Sequence, residues 1–103
     1  MGKEYKLSKV SVEKFGNVLK KSNEVVVDDK YVKIVIDSIR EIKKDLPEEV
    51  VTLSAHMGRD IQADSLDMMD IALEIEERSG KEIPDDVVAT IQTVSYFVLY
   101  IAD

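Results

Sequence analysis

Apolar residues recur at helical spacing in several stretches of this chain, which predicts a mainly helical protein. The first stretch covers residues 8–21, and Ser8 or Ser11 can act as its N-cap. Residues 23–29 are β-branched and charged, so they favour an extended connector, and a short strand stays open as the alternative.

A second helix is predicted from Lys30 to Lys44, because its apolar residues form one face and its final lysines suit a helix C-terminus. It ends before Leu46-Pro47, since the residue that precedes a proline is pushed out of the α region. The connection over residues 45–63 is long for a small domain, and a loop of that length is usually packed and functional. The apolar residues that we expect it to contribute to the core are Val50, Val51, Leu53, Met57 and Ile61.

A third helix begins at Asp64 or Ser65 and continues to about Ser79, where Gly80 can cap its C-terminus. The remaining predicted elements are a short helix after the turn at Ile83-Pro84 and a last helix capped by Thr93.

The third helix carries two apolar stripes on nearly opposite sides, although one stripe is enough to dock a helix on a small bundle. Carboxylates border the second stripe, which indicates a docking surface for a partner with an apolar groove surrounded by arginine and lysine. Packing of the same stripe beneath the long loop is the alternative. The first stripe consists of Met68, Ile71, Ala72 and Ile75, the second of Leu66, Met69 and Leu73, and the bordering acids are Asp67, Asp70, Glu74, Glu76 and Glu77.

The net charge of −7 is unevenly distributed. Residues 60–86 hold ten acidic and two basic side chains, and such a surface repels nucleic acid and anionic membranes but attracts basic partners. A chain of 103 residues without cysteine has room for one small domain, which must be held together by packing. No apolar run approaches the roughly 18 residues of a membrane span, and no signal peptide is recognised. We therefore expect a cytoplasmic protein that does not insert stably into membranes.

The sequence shows no recognisable set of catalytic or metal-binding residues. His56 is the only histidine, and we expect it to be an ordinary loop residue. The glycine patterns that bind phosphates are missing, and the aspartates of residues 60–70 lack the spacing of a calcium loop. We therefore expect a protein that is not an enzyme and has no metal site.

The tripeptide Asp64-Ser65-Leu66 places a serine at the start of the acidic third helix. A serine at this position is usually a cap, but Asp64 fits the N-cap and leaves the Ser65 hydroxyl free to point outward. A phosphodiester on that oxygen would lie against free backbone N–H groups and the positive end of the helix dipole. Ser65 is therefore a candidate attachment site for a prosthetic group.

Several short segments, in fixed order over about residues 30–103, resemble the acyl carrier protein family. The spacing from the serine to Ile83-Pro84 fits this family without a gap. The segments are Ala63-Asp64-Ser65-Leu66-Asp67, Leu73-Glu74-Ile75-Glu76-Glu77, Glu82-Ile83-Pro84-Asp85, and Thr93-Val94 with Tyr100-Ile101.

The resemblance implies an all-α fold, namely a four-helix bundle of three longer helices and one short helix with an extra N-terminal helical segment. Residues 30–103 would form the carrier domain, and residues 1–29 an extension that is helical at 8–21. The resemblance also implies 4′-phosphopantetheine on Ser65, donated from coenzyme A by a separate phosphopantetheinyl transferase. The thiol of this group would hold an acyl group as a thioester.

The partners implied by the resemblance are that transferase and the acyl-transferring, condensing or modifying enzymes of fatty acid, polyketide or related lipid biosynthesis. Such enzymes would dock through basic patches on a monomeric carrier, without nucleic acid. A non-covalent acidic helical adaptor that lacks the prosthetic group is the alternative. The expected docking residues are Asp64, Leu66, Asp67, Met69, Asp70, Leu73, Glu76 and Glu77.

Two positions and the N-terminal segment depart from the family pattern. Gln62 stands where the family often has glycine, and Ser79 stands where a bulky apolar residue is usual, which predicts a differently filled core. Residues 1–29 have no counterpart in the compact members, so a specialised carrier is expected. We predict that deletion of residues 1–29 leaves a folded bundle.

Overall fold

The computed structural model describes residues 7–11 and 24–102 of the chain. Four α-helices and a two-stranded sheet make up its regular structure, apart from one 3₁₀ turn at Glu48–Val50. In chain order the elements are β1 (Leu7–Ser11), β2 (Glu24–Asp28), α1 (Asp29–Ile42), α2 (Ser65–Ser79), α3 (Asp85–Val88) and α4 (Val94–Ala102). The predicted bundle of three longer helices and one short helix is thereby confirmed.

The pairing of two N-terminal strands corrects residues 8–11 of the helix predicted at 8–21. Strands β1 and β2 pair antiparallel, with Leu7 opposite Asp28 and Ser11 opposite Glu24. Residues 8–11 are therefore strand, and residues 12–21 lie outside the described residues. The helical interpretation is wrong for residues 8–11 because β1 obtains its backbone hydrogen bonds from β2, a pairing that the local apolar spacing does not reveal. The alternative of a short strand within residues 23–29 is confirmed.

Helix α1 continues directly from β2, and local hydrogen bonds fix both of its ends. The Asp28 carboxylate accepts a 3.0 Å hydrogen bond from the Lys30 N–H, which satisfies a backbone donor of the first turn. At the other end, the Lys43 N–H donates to the Ile39 carbonyl at 2.8 Å. The helix contacts both α2 and α4, so it forms one wall of the core.

The core lies between the helices and includes the long loop between α1 and α2. Backbone hydrogen bonds tie this loop to the start of α4, from Met57 N–H to the Gln92 carbonyl at 2.8 Å and from Val94 N–H to the Ala55 carbonyl at 3.1 Å. The predicted packing of the loop is confirmed for Val51, Met57 and Ile61, which are buried, while Val50 and Leu53 are half-buried. No helix in the described part of the chain is long and apolar enough to cross a membrane.

Helix α2 occupies the range that the sequence predicts. Gly80 follows it with a φ of 78°, a left-handed conformation that glycine adopts without steric cost, and its N–H donates to the Glu76 carbonyl at 2.8 Å. Ser79, where the family has a bulky apolar residue, is half-buried, and its hydroxyl accepts a hydrogen bond from the Lys81 N–H at 3.1 Å. The residues of α2 that enter the core are Ile71, Ala72 and Ile75.

Candidate functional site

Ser65 is the first residue of α2 and is exposed to solvent. Its hydroxyl makes no hydrogen bond with any residue that the structure describes, because the N-cap position is filled by Asp64 as predicted. The Asp64 carboxylate accepts from the Asp67 N–H at 2.8 Å, which leaves the N–H groups of Ser65 and Leu66 without an acceptor in the described chain. A negatively charged group bonded to the Ser65 oxygen would therefore be stabilised by these backbone donors and by the positive helix end.

An open groove of about 410 Å³ lies beside Ser65, between α2, α3 and the loop that precedes α2. Its surface is mainly apolar, and Asp85 and Ser65 are among the residues that line it. This volume is within the range of small-molecule sites in proteins. The apolar side chains that line it are Met57, Ala63, Met68, Met69, Val88, Ala89 and Ile91.

Lys43 connects the end of α1 to the segment that holds Ser65. Its ammonium donates to the Gln62 carbonyl at 3.1 Å and to the Asp67 carboxylate at 3.1 Å. The same Asp67 oxygen also accepts from the Asp64 N–H at 3.1 Å, which completes a reciprocal capping box at the start of α2. The hydrogen bond from the Asp64 backbone, followed by that from Lys43, holds the pKa of Asp67 below its ordinary value.

Gln62 has a φ of 61°, which is the left-handed region that favours glycine. A signal for this conformation exists in the sequence, because the family that the chain resembles often has glycine at this position. The conformation directs the Gln62 carbonyl to Lys43, three residues before Ser65.

The second apolar stripe of α2 is largely exposed. Leu66 has 74% of its surface accessible and Leu73 has 59%, so neither packs beneath the long loop. Met69 differs, because it is half-buried against the core and lines the groove beside Ser65. Two of the three residues thus form an apolar strip open to a partner.

The acidic side chains of α2 divide into two groups. Several are engaged within the chain: Asp64 and Asp67 form the capping box, Glu74 pairs with Arg78 at 3.1 Å, and Glu76 accepts from the Ile83 N–H at 2.7 Å. Asp70 and Glu77 are exposed and make no hydrogen bond or ion pair with the residues described. The sequence contains a signal for part of this division, since Asp-x-x-Asp at a helix start suggests a capping box and Glu-x-x-x-Arg an i,i+4 pair. The bond from Glu76 to Ile83 has no such signal.

His56 is a structural residue of the loop, in agreement with the prediction. Its Nδ1 accepts hydrogen bonds from the N–H groups of Gly58 at 3.1 Å and Arg59 at 3.0 Å. Its own N–H donates to the Asp60 carboxylate at 2.8 Å. These bonds shape the turn that contributes Met57 and Gly58 to the groove.

The similarity to known proteins covers the helical part of the chain. Residues 33–101 match the family described as phosphopantetheine attachment site. The acyl carrier protein of Rubrobacter xylanophilus is 38% identical over 72 residues, a match that covers 67% of this chain and 89% of that protein. The acyl carrier proteins of Rickettsia canadensis and Rickettsia massiliae are each 35% identical over 75 residues, covering 73% of this chain and 86% of theirs.

The chain belongs to the acyl carrier protein family. Membership assigns it the role of a carrier and a phosphopantetheine prosthetic group. The start of α2 fits such a group, because an exposed and unbonded hydroxyl lies next to two backbone donors and an apolar groove.

Proposed function

We propose that Ser65 carries 4′-phosphopantetheine and that the thiol of this group holds an acyl intermediate as a thioester. The observation that carries the proposal is the exposed Ser65 hydroxyl, which has no hydrogen-bond partner in the described chain because Asp64 already caps α2. Within the family-matched range 33–101, this serine lies at a helix start that favours a phosphodiester.

Loading of the carrier is a phosphoryl-group transfer from coenzyme A. The Ser65 Oγ forms a bond to the phosphorus that bears pantetheine, and the bond from that phosphorus to the other phosphate of coenzyme A breaks. Adenosine 3′,5′-bisphosphate leaves, and the hydroxyl proton passes to a base supplied by a phosphopantetheinyl transferase. The protein itself contributes an accessible hydroxyl and the N–H groups of Ser65 and Leu66, which stabilise negative charge on the phosphate.

The loaded carrier would serve enzymes that transfer, condense or modify acyl groups in fatty acid, polyketide or related lipid biosynthesis. The exposed Leu66 and Leu73 support docking to apolar grooves with basic borders, as do the carboxylates of Asp70 and Glu77, which form no ion pair within residues 7–11 and 24–102. The groove beside Ser65 offers apolar surface to the cargo. Tethering raises the effective concentration of the intermediate at each enzyme.

Intact-mass measurement after incubation with coenzyme A and a broad-specificity phosphopantetheinyl transferase tests the attachment. We expect the native chain to gain one phosphopantetheine group. Ser65→Ala should gain none, whereas Ser54→Ala, which alters another exposed serine, should gain one as the native chain does. An unchanged mass of the native chain, with the transferase active on another carrier, would contradict the proposal and favour the non-covalent adaptor.

A further inference from the structure

The contacts of Lys43 differ from those of an ordinary surface lysine. It caps the C-terminus of α1, yet its ammonium lies against the Gln62 carbonyl and the Asp67 carboxylate, which are 19 and 24 residues further along the chain. Only 25% of each charged side chain of the Lys43–Asp67 pair is accessible. Water therefore screens this pair less than it screens an exposed ion pair.

The two acceptors of Lys43 lie on either side of Ser65. Gln62 lies in the loop before the serine, and Asp67 lies in the first turn of α2 after it. A single ammonium thus joins both flanks of the serine to the end of α1, which is itself packed in the core. Both flanks also need this support. Gln62 has a left-handed backbone, and without Lys43 the half-buried Asp67 carboxylate would keep the Asp64 N–H as its one donor among the described residues.

We propose that Lys43 is a positioning residue for the loading of Ser65, an inference that rests on the proposed function. By holding the Gln62 carbonyl and the Asp67 carboxylate together, it keeps the Ser65 hydroxyl and the neighbouring N–H groups in one orientation. Group transfer is sensitive to such orientation, so loss of Lys43 lowers the rate of transfer more than the affinity for the transferase.

The neighbouring Lys44 supplies a matched control. It carries the same charge one residue further on, but 70% of its side chain is accessible, and its ion pair in the described part of the chain is with Glu41 at 3.5 Å. Lys43→Met and Lys44→Met therefore change the net charge equally, and only the first removes the contacts with Gln62 and Asp67. Lys43→Arg keeps the positive charge and supplies five N–H donors, so we expect it to bind the same two acceptors.

Steady-state loading by the transferase, at a temperature where circular dichroism shows every variant folded, tests the proposal. We expect Lys43→Met to lower kcat by about tenfold while KM for the carrier changes by less than about twofold. Lys44→Met should load like the native chain, and Lys43→Arg should recover most of the rate. If Lys43→Met loads like Lys44→Met, or slows only in proportion to its unfolded fraction, the proposal is wrong.

Amide hydrogen exchange of Ala63, Asp64, Asp67 and Met68, whose N–H groups are hydrogen-bonded on both sides of the serine, separates this proposal from the proposed function. If these amides exchange about tenfold faster in Lys43→Met than in Lys44→Met, Lys43 holds the residues around Ser65 in place. This measurement needs no transferase, so it still tests the positioning role of Lys43 if the native chain is not loaded. Equal exchange in the two variants would overturn the positioning role whether or not loading occurs.

Discussion

Gln62 has a strained left-handed backbone, and its carbonyl accepts a hydrogen bond from Lys43. A left-handed conformation costs about 1–2 kcal/mol for a residue with a Cβ, whereas glycine adopts it freely but loses about 0.5–1 kcal/mol more entropy on folding. We therefore predict that Gln62→Gly stabilises the protein by up to about 1 kcal/mol, while Gln62→Ala, which retains the Cβ, gives no gain. Urea unfolding measures both variants, and a Gln62→Gly protein no more stable than Gln62→Ala would show that the backbone is not strained.

The lowered pKa of Asp67 makes a second prediction at the residue scale. Asp67 is more acidic in the folded protein than its ordinary value of 3.8, so below that pH the unfolded state binds more protons and stability falls. Its contribution is present above pH 3.8 and is lost as the pH falls through the folded pKa. We expect Asp67→Asn to cost about 1 kcal/mol at neutral pH and progressively less in acid.

Unfolding curves from neutral pH down to about pH 2.5 measure this difference. The exposed Asp70 is the control, because it makes no hydrogen bond with the residues described, so Asp70→Asn should change stability little. A loss for Asp67→Asn that is the same at every pH would contradict the assignment of the stability to the charge of Asp67.

At the scale of the element, substitutions at two apolar residues of α2 are expected to affect different properties, partner docking in one case and folding stability in the other. Leu73 is 59% exposed and Ile75 is fully buried, although they lie two residues apart. We predict that Leu73→Ala leaves the unfolding temperature nearly unchanged but raises KM for the transferase by about fivefold, since it removes about 1 kcal/mol of apolar contact. Ile75→Ala should cost about 2–5 kcal/mol of stability. An unchanged KM for Leu73→Ala would exclude this residue from the docking surface.

The helices could be predicted closely because their ends depend on neighbouring residues. Asp64 and Gly80 bound α2 as expected, and α1 differs from its predicted range by one residue at the start and two at the end. The position of Ser65 at the start of α2 could be predicted for the same reason, since it depends on the neighbouring N-cap Asp64. Strand β1 and the contacts of Lys43 could not be predicted, because each depends on a partner distant in the chain. The hydrogen bond from the Ile83 N–H to Glu76 was also missed, because it crosses the end of α2 and follows no helical spacing rule.

At the scale of the whole molecule, strand β2 determines where the chain can be truncated without loss of stability. The boundary between residues 29 and 30 stays a prediction, but β2 leads into α1 without a break, Val27 is buried in the core, and Asp28 caps the helix. A chain that starts at residue 30 loses the apolar contact of Val27, worth about 1.5–3 kcal/mol, and the cap, worth about 0.5–2 kcal/mol.

We therefore predict that deletion of residues 1–29 leaves a folded bundle that is less stable, by about 2–4 kcal/mol, than the protein without residues 1–23. Native domains are stable by only about 5–15 kcal/mol, so this loss is large without abolishing folding. Thermal unfolding followed by circular dichroism compares the two truncated chains, and both should unfold cooperatively. Equal stability would show that Val27 and Asp28 contribute little. Loss of cooperative unfolding in the chain that starts at residue 24 would instead make the segment before β2 part of the core structure, because that chain retains every residue from β2 onward.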